Sequence, residues 1–401
     1  MPWDIDKGWP LAGKIRVIME RREQASGMKS VEQMLLAYAA ELNPKPYQLE
    51  SLGRLLSGDA DLDHLIEVAF KEGLAGLLYR NLEKSGLLER LGDKQKETLQ
   101  SQYYAAAGFN LRLIHDLKAV LHLLNQKKIR VVLLQGIDLV QDTYKDIGLR
   151  PMVDIDLWVR PRDFPELIRV LKNLGYQRDR LYPGTFKKGA TTFDVHTHVL
   201  WADRIRARKR LLKVGEEDIY DAARVVDVEG EEALCLSPQD QVIYLSLHVF
   251  KHYADRLIWL VDIKCLVSDW RESDWQALFS RAKAMGQEKT LSCTFFLLQN
   301  LLDFQLPDEA HKFFKGDGPD IIEKKALKGR LERGRVPVWV PVLLSSAGKG
   351  LGTRLSLLFE SLFPRPEIMR QIFPSPPDLK TWQLYWKRVL QLISRFKTPT
   401  R

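Results

Sequence analysis

The chain predicts an α+β (mixed α/β) fold, a small mixed β-sheet core with one helical region before it and another after it. Three observations predict it. Residues 27 to about 127 carry apolar side chains at helical spacing. Residues 128 to 234 carry short β-branched runs that alternate apolar and polar. Ser237-Pro238-Gln239-Asp240 then opens a second helical region, with Ser237 as the cap and Pro238 at the first helical position. The expected division is 1–127, 128–234 and 235–401.

Residues 1 to 26 read as a loosely held, charged leader. Val31, Met34, Leu35 and Tyr38 form one helical stripe, and Leu62, Leu65, Ile66 and Phe70 another. Asn43-Pro44-Lys45-Pro46 breaks the helices between them. A long helical pattern from Thr98 through Leu124 feeds the first strand, Ile129-Arg130-Val131-Val132-Leu133-Leu134, which ends at Gln135-Gly136. An amphipathic stretch from Ile137 to Tyr144 follows. A glycine at a strand-to-helix junction lets the backbone approach a ligand, and a helix start offers N–H groups to an anion. An ordinary turn glycine is the plainer alternative.

The next strand is Leu149-Arg150-Pro151-Met152-Val153-Asp154-Ile155-Asp156-Leu157-Trp158-Val159. A strand alternates its faces, so Val153, Ile155, Leu157 and Val159 are expected toward a core, with Asp154 and Asp156 on the other side. Two adjacent carboxylates raise each other's proton affinity unless a cation relieves them. Oxygen ligands favour magnesium or manganese. A solvated acidic face is the competing reading. Asp163 to Gly175 reads as a helix, capped by Asp163 and closed by Gly175. In Thr191 to Leu200, Asp194, His196 and His198 share one face, which puts a third carboxylate on a strand able to pair with the Asp154 strand. Arg224 to Gly230 and Leu234 to Leu236 form a further hairpin. The helix after Ser237 carries His248 and His252, with Arg256, Trp259 and Asp262 following at helical spacing. Two histidines four apart suit zinc, but no third ligand accompanies them, so a packed or ligand-facing polar stripe is preferred.

Residues 305 to 350 mix charge, glycine and proline and read as connecting segments. Leu327 to Arg335 is basic through Lys328, Arg330, Arg333 and Arg335. It reads as a solvated face, or as a contact to a phosphate backbone. From Thr381 a basic amphipathic helix carries Trp382, Leu384, Trp386, Val389, Leu390 and Ile393, and its apolar face is expected to pack on the protein body rather than on a membrane surface.

The 61 basic and 52 acidic residues give a net charge of +9, which favours a polyanionic partner without naming one. A hydrophobic share of 45% and a charged share of 28% are those of an ordinary globular protein. Cys235, Cys265 and Cys293 are far apart and odd in number, so free thiols in a reducing compartment are expected. The N-terminus lacks the pattern of a signal peptide, and Val336 to Leu344 is too short to span a bilayer. A cytoplasmic protein with no transmembrane segment is the expectation.

Leu134-Gln135-Gly136, then Leu149 to Leu157, then Leu174-Gly175-Tyr176, then Phe193-Asp194-Val195-His196, resemble in order a family of uncharacterised nucleotidyltransferases within the DNA polymerase β-like nucleotidyltransferase superfamily. Strict correspondence covers about a quarter of the chain, and the ordered set is more specific than any one motif. The resemblance implies transfer of a nucleoside monophosphate from an NTP to an acceptor hydroxyl, with release of pyrophosphate. Asp154, Asp156 and Asp194 would hold Mg2+ or Mn2+. His196 would orient Asp194 from outside the ligand set. Gly136, Gln135 and Arg150 would lie at the phosphates, and His248 and His252 would face the nucleotide. The acceptor could be a small molecule, an RNA end or a protein side chain.

Three positions depart from the pattern: Val153 where a small polar residue commonly precedes the first Asp and, near the triphosphate, Gln135 where close relatives often carry lysine and Ile137 where the superfamily usually carries serine. The last two motivate the alternative of a catalytically degenerate nucleotide-binding or regulatory protein. A nucleic-acid-binding module using the basic C-terminal segments is a second alternative, and a zinc hydrolase built on Asp154, Asp156, His196 and His198 is a third.

Overall fold

Pro46 opens helix α1 (Pro46–Leu56) at the position where a missing N–H is tolerated. The computed structural model describes residues 36–57, 61–202, 205–333, 336, 340–346, 349–373 and 380–397. The expected leader, with Val31, Met34 and Leu35, lies outside them, as does Arg335. Asp61 caps α2 (Leu62–Glu72) by accepting from the His64 N–H, and Gly73 ends it in the left-handed region. After α3 (Ala75–Lys84) comes α4 (Asp93–Gln126). Its apolar stripe, Leu113, Ile114, Leu117, Val120, Leu121 and Leu124, is buried.

Seven strands form one mixed sheet in the order β3-β4-β5-β2-β1-β7-β6. They are β1 (Val132–Leu134), β2 (Ile155–Trp158), β3 (Gln177–Arg178), β4 (Thr185–Lys188), β5 (Thr191–His196), β6 (Arg224–Val228) and β7 (Glu231–Cys235). β1 runs antiparallel to β2 and parallel to β7, and β2 runs parallel to β5. The hairpin expected from Arg224 onward is the β6–β7 pair. Alternation divides the sheet's side chains. Leu133, Ile155, Leu157, Phe193 and Val195 join a core with α4 and with Leu167, Val170 and Leu171 of α6 (Phe164–Asn173). Val132, Leu134 and Trp158 face the other way, into a core shared with the remaining helices. The carboxylates stand on this second face.

Two features of the central region differ from the sequence reading. Val153 is 55% exposed, because the strand begins only at Ile155 and the alternation does not extend back to it. Asp163 occupies the cap position of α6 but makes no side-chain cap bond. Gly175 does follow the helix in the left-handed region, at φ 87°.

Helix α7 (Glu216–Asp221) precedes the β6–β7 hairpin. Beyond it, Ser237 caps α8 (Pro238–Lys251) as expected, accepting from the Asp240 N–H at 3.3 Å. The helix then stops. Tyr253 and Ala254 both take left-handed backbone, which breaks the hydrogen-bond ladder, and α9 (Ile258–Val267) starts afresh. Arg256, Trp259 and Asp262 therefore do not continue the helix of His248.

Helices α10 (Glu272–Met285) and α11 (Glu288–Leu302) complete the apolar packing over α8. The segment read as connections instead forms α12 (Asp308–Asp317), α13 (Ile321–Arg333) and α14 (Val340–Ser345), held by a few buried residues such as Ala310, Leu327 and Leu344. Helices α15 (Leu351–Leu362), α16 (Pro366–Ile372) and α17 (Thr381–Lys397) follow. The α17 apolar face does not dock as a whole. Leu384 is buried, whereas Trp382 and Trp386 are 65% and 60% exposed. The helix is held by its polar edge instead, where Tyr385 donates to the Pro364 carbonyl and Arg388 to the Ser361 and Leu362 carbonyls that end α15. No helix among the described residues is long and apolar enough to cross a membrane.

Candidate metal centre

The β2–β5 register sets Asp156 beside Asp194 and Trp158 beside His196. Neighbouring strands lie about 4.8 Å apart, so side chains on one face at adjoining positions converge. Asp156, Asp194 and His196 are on that face. His196 Nε2 is 3.0 Å from Asp156 Oδ1 and 3.6 Å from Asp194 Oδ2. Thr185 on β4 donates to the other Asp194 oxygen at 3.0 Å. One donor atom from each of the three residues lies within 4.8 Å of the others, and they are the one such group of metal-type ligands among the described residues. Asp156 and His196 are 7% and 4% exposed, and Asp194 is half-buried and opens outward. Two carboxylates and an imidazole, converging and largely withdrawn from water, fit a divalent cation.

Asp154 precedes the strand at the rim of this cluster and is half-buried. Its carboxyl is held well above the usual range, first by burial and then by the fields of Asp156 and Asp194, while Lys251 and His196 oppose the shift. The three carboxylates thus share one field. His196 stands inside the cluster rather than behind it. His198 turns away beyond the end of β5 and pairs with Glu216 at 2.9 Å, so the four-residue zinc-hydrolase set is not assembled.

Sequence reasoning missed Lys251. A lysine in the last turn of an apolar helix reads as an ordinary partner of the helix dipole. Here its Nζ sits 3.6 Å from the centre of the Trp201 ring, and its charge reaches Asp154. The three-residue spacing from His248 was the available signal. Trp201 packs on Tyr244 at 5.2 Å, and the Gln135 amide donates to the Tyr244 hydroxyl at 3.3 Å. Burial, then the Asp156 charge, push the Tyr244 phenol well above its usual range, so it stays neutral.

The rings of His248 and His252 lie 4.6 Å apart, tilted by 52°, and each is 5.0 Å from Trp259. Burial drives both well below the usual histidine range, which keeps both imidazoles neutral at physiological pH. His248 Nδ1 is buried without a hydrogen-bond partner.

Arg150 departs most from its expected role. Its Nε and Nη2 donate to Asp262 at 3.1 and 2.9 Å, and Tyr144 donates to the same carboxylate at 2.8 Å. The fork expected on a phosphate is closed on a buried aspartate, because the chain brings α9 against the segment before β2. Gly136 is explained by the same contact. A Cβ there would come within 2.0 Å of Arg150 Nη1, so the close approach that requires glycine is to the guanidinium. The helix after it is a single turn, α5 in the sequence Gly136–Leu139, continued by a π-helical turn over Val140–Tyr144.

Of the basic C-terminal residues, Arg330 is buried on Glu72 at 2.6 Å and is not available to a phosphate backbone, whereas Lys328 is exposed.

A mixed sheet that gathers carboxylates on adjoining strands and is covered on that face by helices has the layout of a nucleotidyltransferase. The chain belongs to the family described as uncharacterised nucleotidyltransferase, whose family model matches residues 58–303, more than half of the chain and all of the sheet. No curated protein and no solved structure matches it.

Proposed function

We propose that the chain moves a nucleoside monophosphate from an NTP to an acceptor hydroxyl and releases pyrophosphate. The observation that carries this reading is the register pairing of Asp156 with Asp194, with Asp154 at its rim, in a chain of a nucleotidyltransferase family. A bound Mg2+ or Mn2+ would supply charge neutralisation at the phosphates. Asp154, Asp156 and Asp194 would hold it. Asp194, the more open of the strand pair, is placed to take the acceptor's proton, with Thr185 fixing its other oxygen. Lys251 takes the role first expected of Arg150, a cation facing the triphosphate beside the carboxylates. Gln135 and Gly136 border the same side, and His248 and His252, with Trp201 and Trp259, would form its nucleotide-facing wall. The closure of Arg150 on Asp262 favours a second reading, in which the chain binds nucleotide as a regulator without turnover.

The test is incubation of the full chain with α-labelled NTPs, Mg2+ or Mn2+, and a cell extract that supplies acceptors. Label should appear in a product and vanish with Asp154→Ala plus Asp156→Ala. Labelling unchanged in that double variant rejects the site. Metal-dependent NTP binding without labelling selects the regulatory reading.

A further inference from the structure

We infer that His196 is itself a ligand of the cation, so that the centre takes Mn2+ in preference to Mg2+. This rests on the metal-dependent part of the reading above and adds a nitrogen donor to it. Donors about 2.1 Å from an octahedral cation, at right angles to one another, stand about 3 Å apart. His196 Nε2 shares a 3.0 Å hydrogen bond with an Asp156 oxygen and stands 3.6 Å from an Asp194 oxygen, distances that are also close to the spacing of neighbouring ligands on one ion.

The ring is also held there. His196 ends β5, is 4% exposed, and is aimed at the carboxylates by the strand register. A cation between Asp156 and Asp194 therefore meets this nitrogen. A ring carrying its proton on Nε2 would turn a positive end toward the ion, whereas a ring carrying it on Nδ1 offers a lone pair. The second arrangement is the attractive one. Magnesium binds oxygen almost to the exclusion of nitrogen, while first-row transition cations accept imidazole readily. Manganese combines that acceptance with an affinity for carboxylates.

The full chain, without nucleotide, is titrated with Mn2+ and followed by the loss of the free-ion EPR signal, then competed with Mg2+. Mn2+ is expected to bind about tenfold or more tightly than Mg2+, a scale typical of altering a metal's immediate surroundings. Pulsed EPR of the loaded protein should show a histidine nitrogen coupling that changes isotope signature when the protein is made with 15N-histidine, a test that needs no substitution. His196→Gln, which offers oxygen in place of nitrogen, should abolish the coupling and bring the two affinities to within about threefold. Three results would overturn the inference: no Mn2+ binding, bound Mn2+ without histidine coupling, or a folded His196→Gln protein that keeps the wild-type preference. A chain that shows the coupling yet labels no product keeps this inference and loses the transfer reading.

Discussion

Lys251 and Asp138 show how single groups near the centre take their properties from neighbours far away in sequence. Lys251→Ala should raise the KM for NTP about tenfold, the scale of one lost charge-assisted hydrogen bond, while Mn2+ affinity without nucleotide stays within about twofold. Steady-state kinetics beside an EPR titration separates the two. An unchanged KM removes Lys251 from the triphosphate. Asp138, two residues after Gly136, is buried, with one oxygen on the Gln241 amide and the other without a partner. Burial is the main cause that pushes its carboxyl up to about 7, against the pull of Arg224. The folded chain thus holds this proton more tightly than the unfolded chain, where the group titrates near about 3.9. Its contribution makes stability fall as pH rises from about 4 to about 7 and level off above. Asp138→Asn keeps an acceptor for Gln241 and removes the charge. Denaturant melts should show the variant more stable at pH 8 by roughly 4 kcal/mol and little changed at pH 4. Equal slopes in both proteins would sink this account. At this scale the placing of Asp156 and Asp194 on one face of their strands was legible in the sequence, because alternation in a β-branched run is a local property. The partner of Arg150 was not, since Asp262 lies on a helix that only tertiary packing brings near.

Elements decide which of these residues meet. The strand reading placed Asp194 and His196 on one face, and the parallel register then set them against β2. A slip of one residue would have sent Asp194 to the apolar core. The C-terminal helices were the hardest to read. Helix α13 has a weak apolar stripe, with Ile321 and Ile322 exposed, and it is fixed by buried Ala326 and Leu327 and by two ion pairs, Glu323 with Lys289 of α11 and Arg330 with Glu72 of α2. Glu72 also accepts from the Leu257 N–H at 2.7 Å, so the pair ties three elements together. Removing one partner leaves the other charged and buried. Arg330→Ala should therefore cost about 3–5 kcal/mol, whereas Lys328→Ala, one exposed charge away, should stay within about 0.5 kcal/mol. Chemical denaturation of the two variants makes the comparison, and similar losses would show that the Arg330 pair is not holding α13.

Across the whole molecule, the sheet is covered on both faces by helices drawn from distant parts of the chain. Leu52, Leu65 and Leu77 of α1 to α3 share one core with Trp158 of the sheet and with Val242, Leu260 and Phe295 of α8, α9 and α11. The stripe of α4 covers the opposite face. The two helical regions that flank the sheet in sequence are thus joined in space. Residues 128–234 made alone would keep α5, α6 and α7 on the sheet but lose α4 from one face and α1 to α3, α8, α9 and α11 from the other. That fragment should give no cooperative thermal transition by circular dichroism, while the full chain melts in one. A cooperative melt of the fragment would show that the sheet carries its own core.

The amino-acid sequence by itself determined that the central region alternates short strands with helices and that Asp156 and Asp194 stand on one face of their strands. Periodicity is local, so alternation holds where the strand forms, at Ile155–Trp158, and fails at Val153 before it. The tertiary structure alone decided which donors converge, that His196 stands among them, that Lys251 faces them, and that Arg150 closes on Asp262. Those outcomes depend on strand register and on helix contacts more than 100 residues apart in the chain, as the Arg150–Asp262 separation of 112 illustrates, and no local pattern encodes a contact at that range.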